Sequence, residues 1–127
     1  MVSTKPRIRT AEPADFVEIG AEMHGYDASA YVAELDGRVI GICGLCYSDP
    51  AQAFSLFLPE FDNYPKIKVK LMTLAYSLML SYGKEVYAIA SPLYDTSCGL
   101  LEHYCFTRIG DHDWGRGVYV WQSPARS

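Results

Sequence analysis

The sequence predicts an α/β (α+β) fold in which one mixed sheet of about six or seven strands is flanked by about three or four helices. Two patterns carry this prediction. Asp36 and Gly37 separate two runs of alternating character, and this pair is a strong hairpin signal because both turn positions need a positive φ. Further on, an apolar run, an amphipathic helix and a second apolar run follow in that order. This order implies a parallel crossover within a sheet whose first half is antiparallel.

The chain opens with a predicted strand and a predicted helix. Arg7 to Thr10 is typical of a short strand, and Ala11 to Ala21 is typical of a helix. Thr10 is the expected N-cap, since acidic residues and a proline follow it and suit the positive end of a helix. Apolar residues three and four positions apart predict that this helix packs on the sheet.

A hairpin and a central strand come next. Met23 to Ser29 is predicted to be a short connection, and the hairpin strands are predicted over Ala30 to Leu35 and Arg38 to Cys46. Ser48 to Gln52 is rich in turn residues. The apolar run from Ala53 to Leu58 then indicates a central strand that is buried on both faces.

One long helix dominates the second half. From Lys66 to Tyr82, apolar residues recur at steps of three and four, and Gly83 ends the pattern. The remaining predictions are a buried strand over Val86 to Ala90, a short helix over Asp95 to His103, a polar loop over Asp111 to Gly117 and a last strand over Val118 to Trp121.

Length and charge bound the class of protein. A chain of 127 residues has the size of one domain, so residues 1–127 are predicted to form a single domain. The net charge of −4 gives no general attraction to nucleic acid or to an anionic membrane. No apolar run reaches the roughly 18 residues of a membrane helix. We therefore predict no nucleic-acid partner, no membrane partner and a cytoplasmic location.

Several segments together resemble the Gcn5-related N-acetyltransferase (GNAT) superfamily. SLFLPEFDNYP, KIKVKLMTLAYSLMLSYG, EVYAIASP and LYDTSCGLLEHYCF have the order and spacing of the family's strand, phosphate loop, helix, strand and closing helix. The hairpin YVAELDGRVIGICGL and the opening RIRTAEPADFVEI extend the likeness over nearly the whole chain. The resemblance implies a degenerate member that uses acetyl-coenzyme A to acylate an amine, in a V-shaped opening between splayed fourth and fifth strands.

The resemblance also implies where the coenzyme binds. The family's phosphate loop, Q/R-x-x-G-x-G/A, aligns with Asp62 to Ile67, and none of its consensus letters is kept. Pro65 removes a backbone donor where amide groups should approach a pyrophosphate, although Lys66 and Lys68 partly compensate. An alternative stays open, that this helix start binds no phosphate. The implied coenzyme contacts are the backbone of Phe57, Leu58 and Pro59, together with Asn63, Tyr64, Lys66, Ile67, Lys68 and Tyr94.

The catalytic candidates follow from the same likeness. Counted back from Cys105-Phe106, the position of the family's coenzyme-contacting asparagine falls on Tyr94. The position of the family's tyrosine that protonates the departing thiolate falls on Leu101, so this general acid is missing from its place. Tyr94 is the substitute candidate, because it starts the closing helix at a strand's carboxyl end. Glu34 and Glu60 are the carboxylates available to accept a proton from an amine. Each candidate also has an ordinary explanation as a packing ring or a surface charge.

Cysteines make a second candidate site. Cys43-Gly44-Leu45-Cys46 is a C-x-x-C match, and Cys98, His103 and Cys105 are available to complete a zinc site. Cys43 and Cys46 are an odd number of residues apart on a predicted strand, so their side chains should point to opposite faces. No predicted helix follows that would lower a thiol pKa. We therefore predict no metal site, and cysteines that act as small core residues.

Two functions remain open at this stage. One is an acetyl-coenzyme A dependent N-acetyltransferase, whose amine acceptor, a small molecule or a protein, no motif identifies. The other is a catalytically inactive structural or interaction protein, since the chain also resembles the small internal virion proteins of short-tailed phages in length and pattern. That protein would be located in the virion, and its aromatic side chains would make protein contacts. They are Tyr26, Tyr47, Tyr64, Trp114, Tyr119 and Trp121.

Overall fold

The computed structural model describes residues 5–20, 27–48, 51–89, 107–112 and 116–121. These residues form one mixed sheet with two α-helices and one 3-10 helix. The predicted α+β architecture around a single sheet is confirmed. Fewer α-helices are described than the sequence predicts, and the predicted closing helix over Asp95 to His103 lies outside the described residues. The elements are β1 (Arg7–Thr10), α1 (Pro13–Ile19), β2 (Ala28–Leu35), β3 (Arg38–Cys46), β4 (Ala51–Phe57), the 3-10 helix (Pro59–Asn63), α2 (Pro65–Tyr82), β5 (Val86–Ile89), β6 (Thr107–His112) and β7 (Arg116–Trp121).

The described sheet has the strand order β1-β2-β3-β4-β5-β7-β6. Strands β1 to β4 are antiparallel neighbours, and β4 and β5 are parallel. The predicted change from antiparallel to parallel pairing therefore occurs where the long helix α2 connects two strands. Strand β7 pairs antiparallel with β5 on one side and β6 on the other. This order places β1 and β6 at the two edges of the described sheet.

The Asp36-Gly37 hairpin is confirmed. Asp36 has φ 50° and Gly37 has φ 82°, which are the positive values that a tight hairpin turn requires. Strand β2 begins earlier than the sequence predicts, because Ala28 and Ser29 already pair with the end of β3. The predicted connection over Met23 to Ser29 is therefore wrong at its last residues.

Strand β4 is less buried than the sequence predicts. It begins at Ala51, so the end of the predicted turn over Ser48 to Gln52 belongs to the strand. Gln52 and Ser55 are exposed, which contradicts the prediction of burial on both faces. Gln52 and Ser55 are three residues apart and therefore lie on opposite faces, so neither face of β4 is covered along its whole length.

The two helices cover opposite faces of the sheet. On one face, Ile19 of α1 packs with Ala30, Val32 and Ile42 of β2 and β3. On the other face, Leu71 of α2 packs against a separate set of residues from the same two strands. Alternate residues of a strand point to opposite faces, so β2 and β3 contribute to both cores. Strands β2 and β3 are therefore packed on both faces.

Helix α1 starts later than predicted. Its N-cap is Glu12 and not Thr10, because Thr10 is still the last residue of β1. The carboxylate of Asp15 accepts a hydrogen bond from the Glu12 amide at 2.6 Å and a bidentate pair from Arg9 at 2.7 and 2.8 Å. The negative charge of Asp15 is favourable at the positive end of the helix dipole, and its bonds to Arg9 connect α1 to β1.

Helix α2 begins at Pro65, one residue before the predicted start. Pro65 occupies the first helical position, where the missing N–H costs nothing. Leu71, Ala75 and Met79 form its buried stripe, and Gly83 ends the helix with φ 71°. Within the described part of the chain, no helix is long and apolar enough to span a membrane.

The end of the described sheet differs from the prediction. Strand β6 is not foreseen, and β7 starts before the predicted Val118. Residues predicted as a polar loop, Asp111 and His112, are in β6 and pair with Gly117 and Arg116 of β7. The polar pattern conceals a strand here because an edge strand has one neighbour and tolerates charged residues.

Candidate functional site

The pairing of β4 with β5 ends well before the carboxyl end of β4. The two strands pair at Ala51 with Val86 and at Gln52 with Tyr87, and this register does not continue beyond them. Strand β4 runs on to Phe57, while the later residues of β5 pair only with β7 in the described sheet. The two strands therefore pair over one short stretch, and we call the unpaired region between them beyond Gln52 and Tyr87 the β4–β5 opening.

The free edge of β4 is defined by the alternation of its hydrogen bonds. The Leu58 N–H donates to the Ile40 carbonyl at 2.9 Å, so the backbone groups of Leu58 point toward β3. Backbone groups of alternate residues in an antiparallel strand point to opposite edges. The N–H and C=O of Ser55 and Phe57 therefore face the opening. The Leu58 N–H is already bonded to the Ile40 carbonyl, and Pro59 has no N–H. This limits the predicted roles of both residues as backbone donors to a coenzyme.

The sequence interpretation missed Ser55. The available signal is its parity with Phe57, since residues two apart on a strand present their backbone groups to the same edge. Ser55 is also the one hydroxyl residue in an otherwise apolar run, and its side chain is exposed.

A buried phenylalanine fills the region after β4. The 3-10 helix Pro59–Asn63 carries Phe61, which is fully buried. Its ring lies 5.5 Å from that of Phe57 in an edge-on contact. It also covers Gly41, where an added Cβ would come within 2.6 Å of the ring. The 3-10 helix shares only Asp62 and Asn63 with the aligned phosphate loop, and both residues are exposed. The rest of the aligned loop is Tyr64 and the first residues of α2.

Few backbone donors remain at the start of α2. The N–H of Tyr64 donates to the Phe61 carbonyl, and the Tyr64 carbonyl accepts from the Lys68 N–H, each at 3.0 Å. Pro65 has no N–H. The groups that an α-helix leaves without an internal partner at this end are thus the N–H groups of Lys66 and Ile67. They lie at the positive end of the helix dipole, which favours an anion.

The two lysines at this helix start differ in their surroundings. The Lys68 ammonium lies 2.7 Å from the Asp62 carboxylate and 4.9 Å from the centre of the Phe57 ring. Lys68 therefore neutralises Asp62 and is held against the sheet. Lys66 is exposed and makes no ion pair within the described residues, so it is the cation placed to meet an anion at the helix start.

The predicted carboxylate bases are both ion-paired. Glu60 accepts two hydrogen bonds from Arg38, at 2.7 and 2.8 Å, and these bonds hold the pKa of Glu60 below its usual value. A lowered pKa makes a carboxylate a weaker base at neutral pH. Glu34 accepts from Arg9 at 2.9 Å on β2, which β3 separates from β4. The structure does not bring Glu34 and Glu60 together, and Tyr94 lies outside the described residues.

The cysteines of β3 do not form a reactive pair. Cys43 and Cys46 are both free thiols. Burial raises the pKa of the Cys43 thiol to about 12, which keeps it protonated and unreactive at neutral pH. Among the residues described, no group of three or more histidine, cysteine or acidic side chains is arranged to hold a metal ion. Cys98, His103 and Cys105 fall outside this part of the chain.

The predicted aromatic contact residues are only partly described. Tyr64 is half-buried and packs against the core cluster that contains Phe61 and Leu71, so little of its ring is available to a partner. Tyr47 is exposed and contacts the ring of Tyr82 at 5.6 Å. Tyr26, Trp114 and the side chains of Tyr119 and Trp121 lie outside the described residues.

Two solved structures of acetyltransferases have the same fold as this chain. An acetyltransferase of the GNAT family from Streptococcus pneumoniae matches with a TM-score of 0.68 at 12% identity, over 94% of this chain and 99% of that chain. An acetyltransferase from Agrobacterium tumefaciens str. C58 matches with a TM-score of 0.55 at 16% identity, over 87% of this chain and 70% of that chain. No protein-family model and no curated protein sequence matches this chain. The fold is therefore that of the GNAT acetyltransferases, as the sequence predicts.

Proposed function

We propose that this protein is an acyl-coenzyme A dependent N-acetyltransferase that holds acetyl-coenzyme A in the opening between β4 and β5. One observation carries the proposal. The β4–β5 ladder stops after Gln52 and Tyr87, which leaves the backbone groups of Ser55 and Phe57 facing a gap. The pantetheine arm of the coenzyme contains amide groups, and an extended chain with amides can bind such an edge by strand-like hydrogen bonds. This mode of binding needs no particular side chain.

The start of α2 is the proposed contact for the coenzyme's pyrophosphate. The N–H groups of Lys66 and Ile67 and the ammonium of Lys66 are the donors that remain there. A glycine-rich loop offers more backbone donors at closer approach than this helix start, where Pro65 has no N–H. We therefore expect acetyl-coenzyme A to bind more weakly here than in a protein that keeps the loop.

Acetyl-coenzyme A, when bound, supplies the acyl group as a thioester. In the proposed reaction the amine nitrogen bonds to the acyl carbon, the carbon–sulfur bond breaks and the coenzyme leaves as a thiol. Because Glu60 is held by Arg38, we assign removal of the ammonium proton to an ordered water. Tyr94 remains the proposed acid for the thiolate. The acceptor is an amine of a small molecule or a protein.

A second function is proposed on a different observation. The aligned phosphate loop has no glycine and contains the proline that starts α2, and Lys68 and Glu60 are each held in an ion pair. These features favour a non-catalytic protein with a GNAT fold that acts in structure or interaction. A phage virion protein or a host-interaction protein is an example of this class.

Thermal unfolding with acetyl-coenzyme A separates the two functions. A ligand that binds the folded state raises its stability by RT ln(1 + [L]/Kd), which is about 2.7 kcal/mol at a hundredfold excess over Kd. Ser55→Pro removes an N–H that faces the opening and keeps the ladder to β3, while Ser55→Ala keeps that N–H. We expect wild type and Ser55→Ala to be stabilised alike, and Ser55→Pro to bind about tenfold more weakly.

The contrary outcomes are distinct. No stabilisation of the wild type at millimolar acetyl-coenzyme A removes the transferase proposal and leaves the second function. Equal binding by Ser55→Pro and Ser55→Ala shows that the coenzyme does not use this edge of β4. Binding without release of free coenzyme thiol, measured with a mixture of small amines and lysine peptides, favours the non-catalytic protein.

A further inference from the structure

A basic groove lies beside β1, separated from the β4–β5 opening by β2 and β3. It has a volume of about 540 Å³ and is formed by β1, the residues before it, one residue of β2 and one side of α2. Its apolar lining comes from Ile8, Tyr31, Ile67 and Leu74. Ile67 thus lines this groove with its side chain, while its backbone N–H belongs to the helix start described above.

The charge of the groove is positive in an acidic protein. Basic residues line it on both sides, and no carboxylate of the described residues does, although the whole chain has a net charge of −4. Arg9 is neutralised by Asp15 and Glu34. Lys70 of α2 is exposed and makes no ion pair with any described residue. Arg7 is exposed too, but it has the parity of Arg9 and so its side chain points to the face of α1. A groove of this kind attracts an anionic partner.

The outer edge of β1 offers backbone hydrogen bonds beside these charges. The Ala11 N–H donates to the Ala30 carbonyl at 2.9 Å. In this register the backbone N–H and C=O groups of the odd-numbered residues of β1 point toward β2. The N–H groups of Ile8 and Thr10 therefore point away from the sheet. In the described sheet, β1 pairs with β2 and with no second strand. Such an edge accepts an added strand from an extended peptide.

We propose that β1 and α2 together bind an extended acidic segment of a partner protein, which adds a strand beside β1. Its backbone would bond to Ile8 and Thr10. On its face toward α2, apolar side chains would enter the groove and carboxylates would meet Lys70. A nucleic acid fits less well, because apolar residues share the lining of the groove with the basic ones. This inference is independent of acetyl transfer, since it uses a different edge of the sheet.

A fluorescence anisotropy titration tests the proposal. The probe is a labelled short peptide with serine at every second position and valine or glutamate at the positions between, so that valine and glutamate share one face, and its control has lysine in place of glutamate. Thr10→Pro removes an N–H that faces outward and spares the ladder to β2, whereas Thr10→Val retains that N–H. Lys70→Glu reverses a charge in the groove, and Lys84→Glu makes the same change after α2, away from the groove.

We expect saturable binding of the acidic peptide and none of the basic peptide. Lys70→Glu should weaken binding about tenfold, since a favourable contact becomes a repulsion, and Lys84→Glu should leave it unchanged. Thr10→Pro should weaken binding while Thr10→Val does not. The proposal is overturned by a lack of binding up to millimolar peptide, or by equal losses in Lys70→Glu and Lys84→Glu. Tighter binding of single-stranded DNA or of anionic vesicles than of the peptide overturns it as well.

Discussion

Replacement of Phe61 by alanine tests whether the segment after β4 is a packed element of the core. Phe61 is 0% exposed, contacts the Phe57 ring and covers Gly41. A buried phenylalanine removes about 150–250 Å² from water, which corresponds to roughly 4–6 kcal/mol at about 25 cal/mol per Å². Because that figure is an upper bound, we expect Phe61→Ala to lower the free energy of unfolding by about 3–5 kcal/mol.

Urea unfolding followed by circular dichroism measures this loss. The expected change is a large part of the roughly 5–15 kcal/mol that stabilises a domain of this size. Phe61→Leu should cost less than half as much because it keeps most of the volume. Val69→Ala is the matched surface control, since Val69 is 53% exposed on α2, and it should change stability by less than about 0.5 kcal/mol. A loss below about 1 kcal/mol for Phe61→Ala would refute the packing role.

Two further predictions concern ion pairs. The hydrogen bonds from Arg9 hold the pKa of Asp15 below its usual value. The stability that ionised Asp15 contributes is therefore present above the ordinary aspartate pKa of about 4 and is lost as the pH falls through the lowered pKa. Asp15→Asn should therefore cost about 1–3 kcal/mol at pH 7 and progressively less in acid, as thermal unfolding across pH will show; a constant cost contradicts this reasoning. Arg38→Gln should raise the pKa of Glu60 toward its ordinary value in an NMR titration, and an unchanged pKa contradicts the assigned ion pair.

Local chemistry explains what the sequence could predict. The Asp36-Gly37 turn depends on two backbone angles that few other residues adopt, so the hairpin is encoded within a few residues. The buried stripe of α2, Leu71, Ala75 and Met79, follows directly from the helical period. The order of these elements predicts a mixed sheet, and their order and spacing resemble those of the GNAT superfamily.

Contacts that cross the sheet explain what the sequence could not predict. Glu60 meets Arg38 because β3 and β4 pair in one register, and the two residues are 22 positions apart in the chain. Phe61 belongs to the core only because glycine at position 41 leaves room for its ring. In the sequence, Phe61 is a single apolar residue among polar ones, and this pattern does not show that it packs on Gly41. The basic groove at β1 likewise exists only once α2 lies across the sheet.

Amide hydrogen exchange along β4 tests the open edge of this strand most directly. Without coenzyme, the N–H groups of Leu56 and Leu58 should exchange slowly because they face β3, and those of Ser55 and Phe57 should exchange fast because they face the opening. Addition of acetyl-coenzyme A should slow exchange at Ser55 and Phe57. Equal protection at all four positions before any addition would contradict the account, since this edge of β4 would then already have a partner.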